Sequence, residues 1–180
     1  NGIAMWKQEP RNSLRVKQPP AREKFAVHWQ RFASQPQVKR FLFAVGLGTA
    51  AFNMQDVILE PYGGEIMHLG VGATTQLTAL MAGGALIAFA LAARALARGG
   101  DPIRVAAVGV LFGLVGFSAV IFAEPFDAPD LFRIGATLIG FGGGFFAVGT
   151  LSAAMNLKSL EGHGMNGLVL GAWGAVQATC

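Results

Sequence analysis

Five apolar runs, at about residues 41–60, 72–93, 103–123, 131–154 and 165–180, alternate with short polar connections. Each of the first four has the ~20 residues that a helix rising ~1.5 Å per residue needs to cross ~30 Å of hydrocarbon. The last run stops at Cys180 after about 16 residues, short of that length. None shows the period-2 alternation of membrane strands, and all are rich in Ala, Leu and Gly. Because lipid offers no partner to a backbone N–H or C=O, helices are the structure left. The pattern predicts an all-α, polytopic transmembrane helical bundle over 41–180, preceded by a polar segment at 1–40. With no initiator Met and a short final run, the chain reads as an internal piece of a longer protein.

Lysines and arginines alternate between connections. Segment 1–40 holds nine of the 14, and the connection at 61–71 holds none. The next holds Arg94, Arg98 and Arg104, the one at 124–130 holds only acids (Glu124, Asp127, Asp130), and the one at 155–164 holds Lys158. By the positive-inside rule, 1–40 is cytoplasmic and the chain ends heading outward; only Arg133 falls on the poor side. Within 1–40, Phe25, His28 or Trp29, and Phe32 recur at helical spacing beside Arg22, Lys24 and Arg31. That fits either a short helix lying on the inner membrane surface or a solvated linker. The orientation rule already accounts for the basic residues, so they require no nucleic-acid partner.

Helix punctuation is plain at several ends. Gly99-Gly100 closes the second run, and Asp101-Pro102 opens the third with an N-cap and a first-turn proline. Asp130 is a similar N-cap candidate for the fourth run. Arg94 and Arg98 share one face at the inner end of the second helix, where they offset its dipole and meet anionic lipid. Glycines recur four apart at Gly109/Gly113, Gly140/Gly144 and Gly167/Gly171, a spacing that lets helix backbones approach closely in lipid.

Composition agrees with a membrane protein: 53% of residues are hydrophobic and 13% charged, where a soluble domain is nearer a quarter charged. The single cysteine excludes an internal disulfide framework and a cysteine metal cluster. Gly142 to Ala147 matches the dinucleotide pattern G-x-G-x-x-A, but it lies mid-run rather than between a strand and a helix, so the match is accidental. No cytoplasmic Asp pair suits a magnesium diphosphate, and no serine, histidine or cysteine constellation suggests covalent catalysis. An enzyme is not expected.

The chemistry that stands out lies near the end of the first run. Asn53, Asp56 and Glu60 fall at three- and four-residue spacing, a polar stripe up one helix face, with Gln55 beside it. Asp56 lies about 24 Å beyond Arg40. That is roughly 6 Å inside the outer boundary of the core, with Glu60 at the interface. The full mid-bilayer penalty of ~2.5–3.5 kcal/mol therefore applies to neither. Either both acids fix an interfacial turn, or Asp56 faces the bundle interior and binds or relays something. Glu60 precedes a proline, so the helix is expected to end there and Pro61-Tyr62-Gly63-Gly64 to form a tight turn with Tyr62 at headgroup level.

The string Gln55 to Gly64 resembles the signature of the PucC family of phototrophic bacteria. The likeness continues through Val71 to Thr75, Arg98 to Pro102, Ile139 to Gly144 and Gly149 to Leu151, and ends with Gly171 to Thr179. It implies a twelve-helix fold of the major facilitator type, with 1–40 similar to the cytoplasmic loop between the two halves and the five runs as helices seven to eleven. Arg94, Arg98, Asp101 and Arg104 would then occupy an inner loop where that fold carries a basic, glycine-containing motif. The resemblance further implies a role in assembling light-harvesting antenna complexes, with antenna polypeptides and bacteriochlorophyll as partners. It places the protein in the bacterial inner, or intracytoplasmic photosynthetic, membrane. The "bacteriochlorophyll synthase" names that some relatives carry find no support in the residues. The acidic stripe and Gln177 would help form a polar interior or outer gate. The alternative is a proton-coupled small-molecule transporter of the same fold. His68 and His163, in connections on opposite sides, could ligate the magnesium of such a pigment, although solvated loop histidines are commoner.

Overall fold

The computed structural model describes residues 34, 36–66, 70–157 and 166–179. These form five α-helices: α1 (Pro36–Pro61), α2 (Val71–Ala97), α3 (Pro102–Ala123), α4 (Pro129–Leu157) and α5 (Asn166–Thr179). A π-helical turn, Tyr62–Ile66, extends α1. By length and composition four segments can cross a membrane, Pro36–Glu65, Thr75–Ala97, Pro102–Ala123 and Pro129–Asn156. At 14 residues, α5 is about 21 Å long and falls short. The expected helical bundle is present, with helices extending past the apolar runs by a few residues at most ends. The suggested interfacial helix at Phe25 to Phe32 and both connection histidines lie outside the described residues.

Helix α4 is the axis of the bundle, packed against α3 on one side and α2 on another, while α2 and α3 scarcely meet. Glycine makes both approaches. Against α3, contacts follow an antiparallel register: Gly135 meets Gly116, Gly142 meets Gly109 and Gly113, and Gly149 meets Ala106. A Cβ on Gly142 would stand 2.6 Å from the Gly109 carbonyl oxygen, and one on Gly149 would stand 2.5 Å from the Ala106 nitrogen. Against α2 the register is parallel, with Gly140 on the Met81 backbone, Gly144 on Ala85 and Ala88, and Gly84 on Thr137. Helix α1 lies antiparallel to α4, since Gly48 and Phe52 meet Phe146 while Tyr62 meets Phe132. These directions put Lys39, Arg40, Arg94, Arg98 and Arg104 at one end of the bundle and Tyr62, Glu124, Asp127 and Asp130 at the other.

Two of the three anticipated glycine pairs therefore sit in interfaces. On α4, however, the spacing that carries the α3 contact is seven (Gly135, Gly142, Gly149), the repeat of left-handed helix pairs. In the third pair, a Cβ on Gly171 would meet nothing within 4 Å among the described residues, and the surroundings of Gly167 lie outside them. Three hydroxyls satisfy themselves within their own helices: Ser118 donates to Leu114 O at 2.8 Å, Thr137 to Arg133 O at 2.9 Å and Thr150 to Phe146 O at 2.8 Å.

The helix ends divide into expected and unexpected. Asp101 caps α3 as anticipated, its Oδ1 accepting from Ile103 N at 2.9 Å ahead of Pro102. Gly99, at φ +83°, closes α2 with Gly99 N–H bonding Leu96 O and Gly100 N–H bonding Ala95 O, both at 3.0 Å. Asp127, at φ 46°, fills the same left-handed position after α3. Asp130 is not the N-cap of α4. Pro129 already opens that helix, so Asp130 lies in its first turn and binds Arg133 Nη1 at 3.1 Å. That pair also accounts for the one arginine that broke the charge alternation. The tight turn expected at 61–64 is a wider π-helical turn instead. Tyr62 stacks on buried Phe132 with ring centroids 5.9 Å apart, and Gly63 lies against Phe132 and Leu77. Packing on that core keeps the chain winding where proline alone would let it leave.

A methyl added at Gly140 must displace the α2 backbone, whereas one at Gly83 would meet nothing within 4 Å. Gly140→Ala is therefore expected to destabilise by about 1–3 kcal/mol, the usual effect of overpacking. Gly83→Ala is expected to stabilise by about 0.5–1 kcal/mol through helix propensity. Thermal unfolding midpoints of the purified variants in one detergent check both signs.

Candidate functional site

The polar positions of α1 begin lower than the acidic string suggests. Thr49 stands at the middle of the helix, one turn below Asn53, and is 5% exposed. Together with Phe52, Asn53 and Gln55 it lines a half-open cavity of about 350 Å³ bounded by α1, α2 and α4, to which α5 adds Gln177. The opposite walls are Thr78, Met81, Ala85 and Phe89 of α2 and the bare backbone of α4 at Gly140, Gly143 and Gly144. Glycines that let α2 approach α4 thus also leave α4 without side chains on the cavity floor. Phe146 closes the floor on one side, its ring 5.5 Å from that of Phe52.

Two polar atoms of this wall have no hydrogen-bond partner among the described residues, Thr49 Oγ1 and Gln55 Oε1, and both are shielded from solvent. A third, Trp173 Nε1, belongs to α5, which packs on a separate patch around Val38 and Ala154. Gln55 also borders a second cavity of about 330 Å³ toward the acidic end of the bundle, with Ile58, Tyr62, Phe117 and Glu124 on its walls. Gln55 thus borders both spaces.

Of the residues singled out from sequence, Asn53, Gln55 and Gln177 come together on the first cavity. Asp56 and Glu60 lie in the last two turns of α1, and their side chains are outside what the structure describes. Arg94, Arg98, Asp101 and Arg104 gather at the basic end, away from both cavities. There Asp101 Oδ2 lies 3.8 Å from exposed Arg104 Nε, and the Arg98 N–H bonds Arg94 O at 3.2 Å. These contacts shape the loop between α2 and α3; exposed ion pairs of this kind add little stability. The accidental G-x-G-x-x-A match is buried mid-helix in α4, as its setting required. Sequence inspection missed Thr49 and Thr78. Extending the polar stripe down by one turn from Asn53 would have found Thr49.

A shielded, unpaired amide oxygen costs about 1–3 kcal/mol. Gln55→Leu is therefore expected to raise the unfolding midpoint in detergent, while Asn53→Leu, at an exposed position, changes it little. The two midpoints measured side by side decide this.

No solved structure matches the chain. Among curated proteins it is 48% identical to Protein PucC of Cereibacter sphaeroides over 99% of this chain and 38% of that protein. It is 42% identical to Protein PucC of Rhodovulum sulfidophilum, over 99% of this chain and 39% of the relative. It is 46% identical to an uncharacterized protein in the puhA-bchM intergenic region of Rhodobacter capsulatus, over 99% of this chain and 37% of the relative. The chain thus spans less than two fifths of the length of these relatives. The family model described as PUCC protein matches residues 1–180, end to end, and the chain belongs to that family.

Proposed function

We propose that this chain is part of a non-enzymatic membrane factor for assembly of light-harvesting antenna complexes. Membership of the PucC family over residues 1–180 carries this reading. Antenna polypeptides would dock on helix faces, and bacteriochlorophyll would be cargo handed to them. The exposed apolar side of α3, with Ile103, Leu111, Leu114 and Ile121, offers such a face within the bilayer. The bundle would form part of a twelve-helix arrangement of the major facilitator type, since five helices in under two fifths of a relative leave room for seven more. Its place would be the cytoplasmic or intracytoplasmic photosynthetic membrane, with the basic end of the bundle and residues 1–40 on the cytoplasmic side. Deleting the gene in phototrophic cells is expected to lower the near-infrared antenna absorption bands severalfold, and plasmid-borne protein is expected to restore them. Unchanged bands in the deletion strain would sink the proposal.

A second reading is a proton-coupled small-molecule transporter of the same architecture, favoured by the helical spacing of Asn53, Asp56 and Glu60 on α1. One architecture hosts many functions, so the helix arrangement alone does not separate the two. On this reading Asp56→Asn abolishes pH-gradient-driven flux in vesicles while the protein stays folded and monodisperse. Normal flux in that variant would remove Asp56 from the mechanism.

A further inference from the structure

We propose that one side of α2 binds an anionic phospholipid, with Arg94 and Arg98 holding its phosphate and Leu91, Ile87 and Gly83 bearing one acyl chain. The antenna reading uses none of these residues, and the strip would serve with or without it.

The head end of the strip is a pair of guanidinium groups. Arg94 and Arg98 are both exposed and lie four residues apart, so their Cβ atoms stand ~5–6 Å from each other on one helix side. Among the described residues Asp101 is the one acid at this end of the bundle. Its carboxylate already accepts from Ile103 N–H and lies beside Arg104. Arginines in a last helical turn often bond the final carbonyls. Here the backbone serves those carbonyls: Arg98 N–H bonds Arg94 O, Gly99 N–H bonds Leu96 O and Gly100 N–H bonds Ala95 O. Gly99, at φ +83°, permits this closure and fixes the corner that carries the two side chains. Two guanidinium forks one turn apart suit a phosphate, which accepts several charge-assisted hydrogen bonds at once.

The rest of the strip has the length and polarity of one leaflet. At 3.6 residues per turn, Arg98, Arg94, Leu91, Ile87 and Gly83 fall on one side of α2. Leu91 and Ile87 are 46% and 58% exposed, and a Cβ on Gly83 would meet nothing within 4 Å. Arg94 and Gly83 are about 16 Å apart along the helix, close to half of the ~30 Å hydrocarbon core. This side is distinct from the α4 seam, where Leu77, Gly84, Ala88 and Ala92 are buried. It also lies roughly half a turn around α2 from Thr78, Ala82 and Phe89, which border the first cavity.

Charge and depth name the occupant. Arg94 lies in the last turn of the span Thr75–Ala97, where a long cationic side chain reaches outward to headgroup level. Anionic headgroups are the abundant counter-charge at that level. A free phosphate would answer the arginines but leave Leu91 and Ile87 uncovered. A phospholipid answers both.

The test uses the full-length protein in phosphatidylcholine nanodiscs doped with a phosphatidylglycerol whose acyl chain bears a diazirine, with peptide mass mapping as readout. Labelling is expected on α2 around Ile87 and Leu91. Unlabelled phosphatidylglycerol should compete at least about fivefold better than phosphatidylcholine of the same chains, the order of one arginine at a charged membrane surface. This arm needs no variant to fold. Arg94→Gln and Arg98→Gln should each lower the labelling about fivefold. Arg104→Gln and Lys39→Gln remove the same charge from the same end of the bundle and should leave it largely unchanged. Equal competition by phosphatidylcholine, or an equal loss in the two control variants, would reduce the strip to general surface charge and overturn the proposal. Competition by inorganic phosphate would mark a free-anion site and overturn it too. Absence of label from α2 would do the same, since another part of the protein then covers this side.

Discussion

Close backbone approach at α4 is the constraint on which the bundle rests. Helices in a bilayer gain nothing from hiding apolar side chains from each other, since lipid is equally apolar. They associate where surfaces fit closely and where many weak dispersion contacts can form at once. Here that fit comes from removing side chains. Gly135, Gly142 and Gly149 open one face of α4 to α3, and Gly140 and Gly144 open another to α2. Everything else, including the placement of α1 through Phe52 and Phe146, is arranged around those two seams.

The cavity follows from the same residues. A helix without side chains on adjoining faces can be approached closely, but only where the partner's shape follows it. Between the α1 and α2 contacts the partners diverge, and the bare α4 backbone at Gly143 becomes the floor of an open space. Polar residues from α1 and α5 border that space. Packing and site are therefore two results of one sequence feature, the glycine-dense stretch from Gly140 to Gly144.

Local features were legible in the sequence and long-range ones only in outline. The apolar runs foretold the helices because span length is set by hydrocarbon thickness and each helix closes its own hydrogen bonds. Gly99 and Asp101 were legible because capping involves neighbours in the chain. Asp130 misled because Pro129, one residue earlier, had already taken the start of α4. Pro61 misled differently: proline favours an exit, but stacking of Tyr62 on Phe132, seventy residues away in sequence, holds the turn in place. The glycine faces were half visible. A four-residue spacing marks a surface as smooth without saying which helix will use it, and on α4 the seven-residue set proved to be the one facing α3. Of the site, Asn53, Gln55 and Gln177 stood out as polar residues in apolar surroundings. Thr49 did not, because a threonine in a membrane helix usually bonds its own backbone and attracts no notice.

The position of α4 in the chain has a consequence for biosynthesis. It is the last of the four long helices to be made, yet it occupies the place between α2 and α3, which hardly touch. Until it is inserted, those two helices are joined by a short loop and make scarcely any contact with each other. The bundle therefore cannot be assembled by adding one finished layer to the next. It must keep a berth open, and the translation of one glycine-rich segment turns a loose set of spans into a single packed unit.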